Sequence, residues 1–130
     1  MSRPRDRRTD RGAAVVDAVL VMVLLVPIVL GVLQVALVLF VRNSVASAAA
    51  EGARYAATAD RDGGDGVLRT RQLIAQAVAA RFAEGVRYRP TLVDGAPAAE
   101  IRVHLRVPAL GLGGPAVKLD VVAHAIEEQP

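Results

Sequence analysis

The chain has 130 residues, of which 53% are hydrophobic and only 3% aromatic, with no cysteine and a net charge of +3. That length holds one small domain and an anchoring segment but no large enzyme, and the lack of cysteine excludes disulfides and thiolate metal sites. The pI of about 10.2 would raise a nucleic-acid partner, yet the whole basic excess lies in residues 1–12, where Arg3, Arg5, Arg7, Arg8 and Arg11 stand against Asp6 and Asp10. Residues 13–130 carry eleven Lys and Arg against eleven Asp and Glu, so no basic face is left to neutralise phosphates and no nucleic acid is expected.

The leader ends at Gly12 and is followed by Ala13, Ala14, Val15, Val16 and Asp17. From Ala18 to Val41 the chain then runs 24 residues without a charge, longer than the ~20 apolar residues that cross a bilayer core. Arginines held at one end of such a span mark its cytoplasmic side, so the N-terminus is expected inside the cytoplasmic membrane and the C-terminal part outside it. Pro27 and Gly31 interrupt the run and predict a kink, a feature membrane helices tolerate. Gln34 is the strongly polar side chain of the span, and in lipid it requires a partner, which another helix could supply.

The helical pattern continues past Arg42. Ala48, Gly52 and Ala56 recur every four residues beside a second row of Ala49, Ala53 and Ala57, a spacing that lets another backbone approach closely. One helix from Ala13 to about Ala59 would be ~70 Å long, so its upper part must rest on its own head or on other subunits. Asp60 to Gly66, with sequence DRDGGDG, reads as a hinge loop. It departs from a calcium-binding loop, which needs a glutamate where Arg71 stands.

Leu68, Leu73, Ile74, Ala77, Val78 and Phe82 follow a helical period from Val67 to Glu84 and predict an amphipathic helix closed by Gly85. Val86 to Val93 is a first strand weakened by Pro90. Ile101, Val103, Leu105 and Val107 alternate with Arg102, His104 and Arg106 in the clearest strand of the chain. A Gly and Pro loop then leads to a further alternating run from Val117 to Ile126, giving an antiparallel hairpin expected to cover the second helix. No catalytic constellation emerges. Asp120 and His124 share a strand face but lie roughly 13 Å apart, and Gly111, Gly113 and Gly114 match no phosphate-binding fingerprint.

The segment RGAAVVDAVLVMVLLVPIVLGVLQ, followed by AAAEGARYAATA, resembles the TadE-like family of pseudopilins from tight-adherence pilus systems. The resemblance covers about residues 8 to 60 and includes the Gly52-Ala53-Arg54-Tyr55-Ala56 segment. It implies that a prepilin peptidase cuts between Gly12 and Ala13, that Asp17 becomes the fifth mature residue in place of the family's usual glutamate, and that the partners are other pilus subunits and the Tad assembly machinery. The fold expected is α+β: a basic leader (1–12), a transmembrane helix (13–41), its extracytoplasmic extension (42–59), a hinge (60–66) and a small head (67–130). In this reading Gly12 and Ala13 serve processing, Asp17, Pro27 and Gln34 serve insertion and subunit contact, and Ala48, Gly52 and Ala56 serve helix packing. No cofactor, metal, small-molecule substrate or catalysis is expected. Two alternatives stay open: an uncleaved single-pass protein with an extracytoplasmic binding head, and a secreted protein cut after Ala46-Ser47-Ala48, whose apolar region would be long for a signal peptide.

Overall fold

The computed structural model describes residues 7–58, 60–110 and 115–127, with side chains from residue 12 onward. Ala59 and the glycines Gly111, Gly113 and Gly114 lie outside the described residues, as do the side chains of the basic leader. The fold is α+β. Helix α1 (Arg7–Ala56) is followed by α2 (Gly63–Ala77), a 3-10 turn (Ala80–Ala83) and three strands, β1 (Val86–Val93), β2 (Ala96–Val107) and β3 (Val117–Ile126). The strands form one antiparallel sheet in the order β1-β2-β3.

Helix α1 has 50 residues and runs unbroken through Pro27. It begins inside the leader at Arg7, six residues before Ala13, and ends at Ala56, short of Ala59. Its lower part is bare and its upper part carries the head. Val41, Val45, Ala49 and Ala53 are fully buried in a core shared with Ile74, Phe82, Val86, Ile101, Val103, Leu105, Val107 and Val121. Burying these side chains contributes roughly 25 cal/mol per Å² of apolar surface removed from water. The head therefore overlaps the end of the expected span, because Val41 belongs to its core and Leu37 and Val38 are packed against it.

Three sequence expectations change at the joints. The stretch read as a hinge over 60–66 already contains the first turn of α2, because Asp62 is the N-cap of a complete capping box. Its Oδ1 accepts from the Asp65 N–H at 2.9 Å, and the Asp65 carboxylate accepts from the Asp62 N–H at 3.4 Å. Side chains that satisfy orphan amides start a helix even in a glycine-rich run. The buried row of α2 is Gly66, Thr70 and Ile74, whereas Leu68 is 58% exposed and Ala77 faces solvent. Gly85 is not a helix cap, since α2 stops at Ala77 and its cap is Val78. Gly85 instead lies against β2: its carbonyl accepts from the His104 N–H at 3.1 Å, and a Cβ there would meet the His104 carbonyl.

The sheet covers α1 more than α2. Strands β2 and β3 lie on the upper half of α1, while α2 packs along α1 and reaches β1. Strand β1 is an edge, where Pro90 opposite Ala99 leaves no central ladder bond missing. β1 and β2 are joined by Asp94 and Gly95, whose φ angles of 52° and 83° are those of a two-residue hairpin turn.

Candidate functional site

Three features stand out: the bare helix, the helix crossing above it, and the polar outer face of the sheet. Gly12, Ala13 and Asp17 lie in the first turns of α1 and are exposed, with open space around the Gly12 Cα. Above them Val19 to Val26, Ile28, Val29, Val32, Leu33 and Val35 are each more than half exposed. The most apolar window of this helix has a mean hydropathy of 2.9, and none of it is buried by the described residues. A soluble protein that left so much apolar surface in water would associate or precipitate.

Gln34 sits at the lower margin of the head. Its Nε2 donates to the Pro108 carbonyl at 3.3 Å, and its Oε1 accepts from the Leu110 N–H at 2.7 Å. The partner that lipid would demand of this amide is thus the chain's own backbone just after β2. Nothing in the local sequence around Gln34 signals it, because the two contacts span 74 and 76 residues.

Ala48, Gly52 and Ala56 are buried, and α2 is what lies against Gly52. A Cβ on Gly52 would come within 2.8 Å of the Gly66 carbonyl, and one on Gly66 would come within 2.8 Å of the Gly52 carbonyl and 2.6 Å of the Ala56 Cβ. The two backbones cross at their glycines. Thr70, fully buried at this crossing, donates its hydroxyl to the Gly66 carbonyl at 2.8 Å.

On the outer face of the sheet Glu100 is buried. Its Oε2 lies 3.0 Å from His124 Nε2 on β3, and its Oε1 lies 3.1 Å from Arg102 Nη2. The Arg102 contact is an ion pair without an aligned hydrogen bond, since that buried Oε1 has no hydrogen-bond partner of good geometry. Burial pushes the Glu100 carboxyl up, but the His124 hydrogen bond and the Arg102 charge outweigh it and hold the group below its ordinary value. His104 on β2 pairs with Asp120 directly opposite on β3. Asp120 and His124, which share one strand face, therefore each turn to a partner on the neighbouring strand. These pairs depend on register, which the alternation of each strand does not reveal. They resemble cross-strand structural pairs more than a reaction centre, and among the described residues no group of three or more His, Asp or Glu side chains is arranged to hold a metal ion.

A long helix left bare over about a bilayer's thickness, with a small α+β head on its upper half, is the architecture of a single-pass membrane protein. The family model described as TadE-like protein matches residues 12–54, from the glycine before Ala13 to the arginine of the last turn of α1. The resemblance drawn from the sequence and this match point to the same family over that segment of the chain. No curated protein and no solved structure matches the chain.

Proposed function

We propose that the chain is a pseudopilin or minor pilin that helps assemble a tight-adherence pilus or a related secretion filament, and that it performs no chemistry of its own. The observation that carries this reading is the coincidence of the matched segment, residues 12–54, with the glycine, the acid five residues after it and the bare helix. Prepilin peptidase removes residues 1–12, and the new Ala13 ammonium on one subunit meets Asp17 on the next. An acid at a membrane edge is costly unless paired, which makes that ammonium a fitting partner. Arginines in the leader keep the N-terminus in the cytoplasm, and the head lies on the other side with the remaining pilus subunits and the Tad machinery.

N-terminal sequencing of the membrane-bound protein tests this directly. A start at Ala13 is expected, and Gly12→Leu should leave a precursor about a dozen residues longer on a gel. A start at Met1 or Ser2, or normal trimming of the Gly12→Leu chain, would instead favour an uncleaved single-pass protein with a binding head. Asp17→Ala should leave trimming intact and reduce recovery of surface filaments, and unchanged recovery would remove the pairing from the account.

A further inference from the structure

The amide of Gln34 fixes the height at which the lower end of the sheet meets α1. Asp17, the last charge below the apolar run, lies 17 residues beneath Gln34, or ~26 Å along the helix. Arg42, the first charge above it, is eight residues away, or ~12 Å. A hydrocarbon layer of about 30 Å therefore contains Gln34 whether it is set as low as Asp17 or as high as Arg42. Tilting the helix deepens Gln34 in the first setting and raises it in the second, and leaves it inside the layer in both. The backbone that Gln34 holds, at Pro108 and Leu110, must then enter the same layer.

The composition of that end of the sheet fits such a position. Between Arg106 and Lys118 the sequence has no charge. Pro108, Leu110, Ala116 and Val117 are exposed, Leu110 and Val117 at 38% each. Backbone groups entering lipid need internal partners, and the Gln34 side chain supplies an acceptor for the Leu110 N–H and a donor for the Pro108 carbonyl.

One rung above, Arg106 and Lys118 face each other in the β2–β3 register, both exposed on the outer face. Like charges directly opposite one another destabilise a sheet in water, whereas a layer of phosphates would satisfy both. Arg106 also lines an open groove of about 600 Å³ with Arg81, Phe82, Pro108 and Ala116, where Glu84 is the acid. The nearby Asp120 is taken by His104.

We propose that the lower end of the β2–β3 hairpin, Pro108 to Leu110 with Ala116 and Val117, is a second membrane contact that enters the leaflet on the head's side, with Arg106 and Lys118 at its phosphate level. The proposal rests on the reading of α1 as a membrane span. It turns a head standing on a stalk into one seated in the bilayer surface.

The chain has no tryptophan, so single tryptophans report position cleanly. The full chain, with Leu110→Trp or Ala116→Trp as probes, Val23→Trp as the span control and Leu92→Trp on the opposite hairpin as the water control, is reconstituted into vesicles of phosphatidylcholine and phosphatidylglycerol with brominated acyl chains. Emission from Val23→Trp, Leu110→Trp and Ala116→Trp should be quenched by the bromines, the latter two most by bromines near the headgroups, and Leu92→Trp should be quenched by aqueous acrylamide alone. Adding Arg106→Gln and Lys118→Gln to Leu110→Trp should weaken its lipid quenching in the anionic vesicles; unchanged quenching would overturn the role of the two cations. If Val23→Trp is quenched while Leu110→Trp and Ala116→Trp answer only to acrylamide, the hairpin contact is overturned and the span stands. Shielding of both probes from lipid and acrylamide alike would assign the surface to a second protein chain and equally overturn the proposal. Failure of Val23→Trp to be quenched would overturn the span itself.

Discussion

Glu100 is the buried ionisable side chain of the described residues, and its environment makes the head's stability depend on pH. Its carboxyl is held below its ordinary value of 4.5, so the unfolded chain binds a proton more readily than the folded one. The stabilising contribution is therefore present above the unfolded value and is lost as pH falls through the folded one. Thermal unfolding of the detergent-solubilised chain should show this as a fall in melting temperature as pH drops below the ordinary carboxylate value of 4.5, a fall that is shallower in Glu100→Gln. Parallel curves for the two proteins would contradict it. The residue-level chemistry was only half legible in the sequence. His104, Asp120 and His124 are visible as titratable groups on strands, whereas Glu100 lies just ahead of the alternating run and joins β2 because that strand begins at Ala96. Which meets which follows from the β2–β3 register, and alternation within one strand does not fix that.

At the scale of elements, the crossing of α1 and α2 decides how the head is held on its helix. Spacing alone reveals the row of Ala48, Gly52 and Ala56, and the fold brings α2 against Gly52 at its own Gly66. Such contact requires hydrogen in place of a side chain on both helices. Gly66→Val or Gly52→Val should cost about 1–3 kcal/mol through overpacking, measured as a lower denaturation midpoint. Gly31→Val, where nothing lies within 4 Å of an added Cβ, is the matched control and should lower the midpoint far less. Equal midpoints for the crossing and control variants would remove the glycine contact from the account.

The strands were legible where period-two alternation survives: β3 runs from Val117 to Ile126 as the pattern predicts, whereas β2 begins at Ala96, ahead of the alternating run from Ile101, with Ala98 to Ile101 all buried. The start of α2 was not. Three glycines suggest a loop by composition, and only the reciprocal bonds of Asp62 and Asp65 override them. The row facing α1 was hidden for a related reason, since a close crossing selects Gly66 and Thr70 rather than the large apolar residues a search for a stripe counts.

Across the whole molecule, one helix of 50 residues, ~75 Å long, divides into a lower half that none of the described residues covers and an upper half that forms one wall of the head's core. Hydropathy alone makes the lower half legible, and the small-residue rows anticipate that the upper half is packed. What the sequence leaves open is where the two halves meet, since the uncharged run reaches Val41 while burial by the head begins near Leu37. That overlap brings the sheet's lower end down to Gln34. The processing, pairing and filament roles all presuppose that the bare half lies in lipid. Alkaline carbonate extraction of membranes carrying the full chain measures this most directly. The protein should stay with the membrane pellet, and release of the intact, untrimmed chain into the supernatant would contradict the account at its centre.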